Sequence, residues 1–514
     1  MRRNKQRAAS LSIWLSGAAL LLALSGCAVG PDYHPVAMTM PSNFDAVAPK
    51  AGAGKTVVDA ASWWRALNDP QLNALIDRAV ANNLDLEVAL DRLQEARIEE
   101  AASLSNSLPV AALSAATATG TGTDLTKGRA DTVLRAGDSG RHVSQINSIG
   151  GFDAAWELDL FGKYRRALEA ARYDKQAAAA ARNNVLVSVI ADVARAYIDL
   201  RAEQMRLAVL RKNADTLDNY VHVTQERYER GFTNELDVTL AQRELDVLKA
   251  QEAPMLAQIA ASKYVLAVLI GQFPEDMATD LDRPKMVPAL PANIDVAVPV
   301  DLLRRRPDIR QAERELAGAT ARIGVAEADL FPHVSILGGV GAQGGEIASL
   351  NPAFLWSVGP SVSWAVLDFG ALDAQVEKAG LRAKEMLAQY KSTVLNAVRE
   401  VDTSYTAYRG QEDRLADLGN ALSASQKSVT LASQRYTRGL TDALNIIDAE
   451  RQEFDIETQY ITAEQNAAEE FIALYKALGG GWENYQSLPP AEHPLPTVVA
   501  AFASLMEPQR QPYD

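Results

Sequence analysis

From Lys163 to Arg230 the chain contains no glycine and no proline, and its apolar residues return at steps of three and four. Leu186, Ile190, Val193, Tyr197 and Leu200 are followed by Leu207, Leu210, Ala214, Leu217 and Val221. A near-heptad of this kind predicts one uninterrupted helix that supercoils left-handedly against its neighbours. At ~1.5 Å per residue such a helix is about 100 Å long, far more than a compact domain needs. Ala371 to Arg438 repeats the pattern without proline, and Leu440 to Leu478 has neither glycine nor proline. Phe232 to Ile270 is interrupted once, at Pro254, which predicts a kink or local break.

Two segments follow the other period. Trp356, Val358, Pro360, Val362, Trp364 and Val366 alternate with Ser357, Gly359, Ser361, Ser363 and Ala365. Phe152, Ala154, Trp156, Leu158 and Leu160 alternate with Asp153, Ala155, Glu157 and Asp159. Alternation over about ten residues is the length and dyad pattern of a transmembrane β-strand. Weaker partners lie near Leu108–Gly120 and Pro332–Gly344. A soluble hairpin packed on helices is the other reading of the pattern alone. If the strands do cross a membrane, four per chain cannot close a barrel, and no edge is tolerated in lipid. Three chains would supply twelve strands. Asp153, Glu157 and Asp159 would then face a lumen and favour cations; solvation of an exposed sheet face is the plainer role for them.

The pattern is written twice. Arg227-Tyr228-Glu229-Arg230-Gly231-Phe232-Thr233 returns 208 residues later as Arg435-Tyr436-Thr437-Arg438-Gly439-Leu440-Thr441. Ala241-Gln242-Arg243 matches Ala449-Glu450-Arg451 at the same offset, and Trp156, Phe161 and Gly162 match Trp364, Phe369 and Gly370. A single offset kept over this distance indicates an internal duplication. The expected organisation is a segment 27–62, a first repeat 63–270, a proline-rich linker 271–300, a second repeat 301–481 and a tail 482–514. Strands are expected at about 108–120, 143–161, 332–344 and 354–369, and long helices at about 163–230, 232–270, 371–438 and 440–478.

Composition narrows the chemistry. The net charge of −14 argues against a nucleic-acid surface. The single cysteine excludes a disulfide framework, and His34, His142, His222, His333 and His493 show no metal-ligand spacing. No nucleophile–histidine–acid set stands out, so neither an enzyme nor a resident metal or cofactor is expected. Glycines at 338–345 precede no Lys-Ser/Thr and so make no phosphate loop. Arg304-Arg305-Arg306 precedes Asp308 and Glu313, which favours structural ion pairs. Arg2, Arg3, Lys5 and Arg7 precede an apolar run, Leu11 to Leu24, too short for a membrane span. This reads as a secretory signal over residues 1–26, a buried amino-terminal helix being the alternative.

Leu24-Ser25-Gly26-Cys27 resembles a bacterial lipobox. The resemblance implies cleavage before Cys27, lipidation of its sulfur and, with Ala28 next, sorting to the outer membrane. The chain as a whole resembles the outer membrane factors, the TolC superfamily, in their lipoprotein branch similar to OprM and NodT. The match is carried by Ser62-Trp63-Trp64, Asp69-Pro70-Gln71-Leu72-Asn73, Leu302-Leu303-Arg304-Arg305-Arg306-Pro307-Asp308-Ile309-Arg310-Gln311-Ala312-Glu313, Ala321-Arg322-Ile323-Gly324 and Leu474-Tyr475-Lys476-Ala477-Leu478-Gly479-Gly480-Gly481-Trp482. The family fold is mainly α with a membrane β-barrel. A homotrimer joins a twelve-stranded barrel to a twelve-helix periplasmic α-barrel. It implies a passive exit duct in the outer membrane, fed by an inner-membrane RND-type transporter through a periplasmic adaptor. Small molecules are the leading cargo; proteins or lipo-oligosaccharides are the alternative. A lipid-anchored coiled-coil fibre without a pore is the alternative from another class.

By the same resemblance the second turn lines a periplasmic gate of Tyr436, Leu440, Leu444 and Asp448, with Asp237 from the first repeat. Leu440, Leu444 and Asp448 stand at steps of four, as on one helix face. Thr441 and Asn445 stand where some relatives carry charge, so the gate's ion pairs are open here. Arg230, Gly231, Arg438 and Gly439, at the helix turns, are the expected adaptor-contacting tips.

Overall fold

The computed structural model of the chain describes residues 28–39, 41, 44, 58–121, 144–276, 279–291, 294, 302, 305–344, 353–438, 440–441 and 443–485. The signal segment, Cys27, Gly439 and residues 486–514 lie outside them.

After a 3-10 turn at Ala60–Leu67 come the helices α1 (Pro70–Asn82) and α2 (Leu84–Ser105). The Asp69 carboxylate caps α1, accepting from the Gln71 N–H at 2.8 Å, and Pro70 at the first helical position needs no hydrogen bond. Asn83 ends α1 and caps α2, while its amide donates to the Leu269 carbonyl at 2.9 Å. Strands β1 (Val110–Thr121) and β2 (Ser144–Leu158) follow, then the 67-residue helix α3 (Lys163–Glu229). Helices α4 (Glu235–Lys249) and α5 (Glu252–Leu269) return along it. The second repeat contains α6 (Pro307–Ala328), β3 (His333–Gly344), β4 (Ala353–Ser363), the 67-residue α7 (Ala371–Thr437) and α8 (Ala443–Ala477).

The expected interruption in the first return helix lies four residues ahead of Pro254. The proline has no N–H to offer the Ala250 carbonyl, so the helix ends there and restarts. Pro254 then occupies the first turn of α5, where a donor would be orphaned anyway. In the second repeat α8 carries no proline and runs unbroken.

The four strands form one antiparallel meander in the order β1-β2-β3-β4. Register places Leu113, Phe152, Val340 and Trp356 in one cross-strand row. Trp156 and Ile336 lie on the same face, with Phe354, Val358 and Val362 beyond them, and all of these are exposed. The opposite face holds Asp153, Gly339 and Ser357 in one row and Glu157, Ser335 and Ser361 in another. An exposed apolar face backed by a small, polar one is the pattern of a membrane barrel wall. Among the described residues, β1 and β4 each keep one unpaired edge. No helix among them is long and apolar enough to cross a membrane.

The main core lies in the middle of the helices, where three sequence motifs converge. Trp63 stacks on Tyr475 at 6.1 Å and meets Trp64 edge-on at 5.8 Å. Gly480 is required there, because a Cβ would sit 2.3 Å from the Ala60 carbonyl oxygen. Buried Arg306 donates to the Ala477 carbonyl at 2.7 Å and pairs with Asp308 and Glu400 at 2.7 and 2.8 Å. The Trp482 indole donates to the Arg305 carbonyl at 3.0 Å. Arg201, fully buried on α3, reaches Gln71, Gln204 and the Arg283 carbonyl, tying the connector to the helices.

Candidate functional site

The two ends of α3 and α7 carry the expected site residues. At the far end, away from the sheet, α3 stops with Arg230 as its C-cap and Gly231 at φ +77°. The Phe232 N–H returns to the Arg227 carbonyl at 2.8 Å and the Gly231 N–H to Tyr228 at 2.9 Å. This is a Schellman closure, which favours glycine at the left-handed position. In the second repeat Leu440 N–H reaches Arg435 carbonyl at 2.9 Å, the matching bond. Arg230 is exposed, 3.4 Å from Glu226, and Arg438 is exposed as the C-cap of α7. Phe232 is 71% exposed beside them.

Leu440 therefore does not share a helix face with Leu444 and Asp448. Its backbone N–H closes α7, and α8 starts only at Ala443. Leu444 and Asp448 do lie one turn apart on α8, both exposed, and Asp448 accepts from Gln452 at 2.8 Å. Leu440 is exposed in the turn before them.

Tyr436 takes a different place. It is 7% exposed, one residue before the end of α7, and packs into its own chain's first hairpin. Its ring lies 5.7 Å from that of Tyr220, and the Arg227 guanidinium stands 4.6 Å over it. Leu217, Ala241, Leu245 and Ile446 complete this small core. Burial, with Tyr436 and Asp237 nearby, pushes the Tyr220 phenol well up. Asp237 sits in the first turn of α4, its N–H capped by Asn234 at 3.0 Å and its carboxylate bonded to the Thr233 hydroxyl. Tyr220 and Arg227 were not among the expected site residues, although Arg227 opens the repeated motif.

At the sheet end, Asp153 accepts from Ser114 at 2.9 Å on the polar face. Glu157 joins His333 at 2.7 Å and Tyr164 at 3.0 Å. Asp159 is not a strand acid. The strand ends at Leu158, and the Asp159 carboxylate receives the Tyr164 and Arg165 N–H groups at 3.2 and 3.0 Å, capping the start of α3.

The amino-terminal segment ends at this same junction. The Val29 N–H donates to the Phe161 carbonyl at 3.0 Å. Arg166 holds the Val29 and Gly30 carbonyls at 3.0 Å each and the Asp32 carboxylate at 2.8 Å. Ala28 lies against Gly162, at the boundary between strands and helices.

With an open barrel wall joined to helices of about 100 Å, the comparisons with known proteins are direct. The sequence pattern of the family described as Outer membrane efflux protein matches residues 75–272 and 298–480. The chain is 30% identical to nodulation protein T of Rhizobium leguminosarum bv. trifolii, over 90% of this chain and 96% of the relative. It is 30% identical to the toluene efflux pump outer membrane protein TtgF of Pseudomonas putida, over 92% and 97%. Among solved structures, the outer-membrane channel OprN superposes with a TM-score of 0.79 at 35% identity, covering 89% of this chain and all of that one. The open-state MtrE channel of Neisseria gonorrhoeae gives 0.74 at 27% identity, covering 89% and 99%. The chain belongs to the outer membrane efflux protein family, as a duct of TolC-like fold whose sheet sits in the outer membrane and whose helices extend into the periplasm.

Proposed function

We propose that three copies of this chain form the exit duct of a tripartite efflux pump, passing small toxic solutes that an inner-membrane RND-type transporter delivers through a periplasmic adaptor. The observation that carries this is the sheet: an apolar outer face, a polar inner face and two unpaired edges, continuous with helices long enough to cross a periplasm. Closure with two further copies satisfies both edges, which lipid demands. The lumen is then lined by small polar side chains with Asp153 and Glu157, and transport through it is passive, without catalysis. The relative TtgF is named for toluene efflux, and a cargo of small apolar compounds fits a duct whose selectivity resides in the pump feeding it.

Lipid on Cys27 anchors the amino end where Arg166 docks residues 29–32, at the membrane-facing junction. The turns at Arg230-Gly231 and Arg438-Gly439 meet the adaptor; Arg230, Gly231 and Arg438 are exposed at the ends farthest from the sheet. The test is complementation in a strain lacking its own outer-membrane channel but carrying a cognate adaptor and transporter. Solvent or drug tolerance is expected to return with the wild-type chain. Photo-crosslinkers at Arg230 and Arg438 are expected to capture the adaptor. Crosslinks confined to the middle of α3 and α7 would contradict the tip assignment, and absence of complementation with any RND-type pair would contradict the efflux reading.

A further inference from the structure

The duplication sets a carboxylate against a neutral amide. Glu450 in the second repeat aligns with Gln242 in the first. Gln242 is exposed on α4, where its amide donates to Asp246 at 3.0 Å. Glu450 instead is half-buried and lines a partly open gap of about 40 Å³ between α3, α4 and α8. Leu217, Leu248, Ile447 and Phe454 form most of its wall. The charged groups facing Glu450 are Glu244 from α4, Arg451 on its own helix, and Glu453 close by on α8; α3 contributes the neutral Asn213. Asp448, two residues earlier, points about 200° away around the helix and is exposed.

We infer that Glu450 is a proton-operated latch: uncharged, it seats the gate-side hairpin on the first hairpin of the same chain, and its ionisation releases that hairpin. The inference rests on the duct reading for its physiological meaning but not for its test. An ionised carboxylate in a largely apolar gap, with two other acids beside it against the single Arg451, disfavours the seated arrangement. Gln242, exposed on its helix, makes no such demand, so the two hairpins of one chain respond differently to protons.

Burial first, and Glu453 second, push the Glu450 carboxyl up from 4.5 to about 7. A carboxyl whose pKa is raised in the seated state binds its proton more tightly there than after release. Seating is therefore strongest in acid, weakens roughly tenfold per pH unit between the two values, and is fully weakened above the upper one.

The experiment uses the lipidated, full-length trimer. Spin labels are placed through Arg230→Cys and Arg438→Cys, and distances between the two turns are recorded from about pH 5 to pH 8. The same preparations are tested for conductance in planar bilayers. In the wild type the short-distance population is expected to fall at least tenfold across this range. In E450Q it is expected to persist at the alkaline end. Identical pH profiles for E450Q and the wild type would overturn the latch, whether or not the protein conducts. Tips that titrate through Glu450 in a protein that never conducts would support the latch and overturn the duct.

Discussion

Tyr436→Ala is expected to raise the basal conductance of the reconstituted duct by about two decades or more. The side chain is almost fully buried between Tyr220, Arg227 and the small apolar cluster around Leu217 and Leu245. Truncating a buried aromatic costs about 3 kcal/mol or more, and each 1.4 kcal/mol is a factor of ten in an equilibrium. This contact joins the end of α7 to α3, so that loss falls on the arrangement in which the two hairpins are packed together. Tyr436→Phe keeps the ring and is expected to stay near wild type. Asp448→Ala acts differently. It removes an exposed carboxylate that three copies would bring toward the axis, and it is expected to raise conductance while reducing cation preference. Unchanged conductance in both alanine variants would remove the gate from this end of the molecule.

Trp356→Arg is expected to abolish assembly into the outer membrane, whereas Ser361→Arg is tolerated. The two residues are on one strand but on opposite faces of the sheet. Trp356 ends the row Leu113–Phe152–Val340–Trp356 that faces lipid. An arginine on the lipid face near the midplane costs about 2–4 kcal/mol, and the trimer bears it three times. Ser361 faces the lumen beside Ser335, where a cation remains hydrated and alters only selectivity. The check is the amount of heat-resistant trimer in outer-membrane fractions. Equal loss for both variants would mean that the two faces are not lipid and lumen.

Much of this fold is legible in the residues because its two periods survive without tertiary help. The steps of three and four from Leu186 to Leu210 become the buried stripe of α3. The alternation around Phe152 and Trp356 becomes the two faces of the sheet. Periodicity misleads where local hydrogen bonding ends an element. Leu158-Asp159-Leu160 continues the alternation on paper, but Asp159 binds the first N–H groups of α3 and the strand is already over. Leu440 keeps the spacing of four to Leu444, yet its N–H closes the preceding helix. Pro254 marks the right break, displaced to the carbonyl that loses its donor.

The site was legible only as turns. The Arg-Gly-x-Thr repeat marks both tips, but the contact that joins them, Tyr436 on Tyr220 and Arg227, links residues from different repeats, and no spacing reveals it. Glu450 reads as one more helical carboxylate until the packing of α3, α4 and α8 half-buries it beside Leu217 and Phe454. Arg306 shows the opposite case. The arginine run suggests ion pairs, and Asp308 and Glu400 supply them while the Ala477 carbonyl fixes the carboxyl-terminal motif in place.

The barrel is shared between chains, and the most direct test of this is the mass of the protein solubilised in mild detergent, with the detergent contribution subtracted. One chain is 55.5 kDa. A particle of about three chain masses is the expected result, since twelve strands then close without an edge. A monomer or dimer that persists across several mild detergents would leave four strands per chain unable to close, and would contradict the duct.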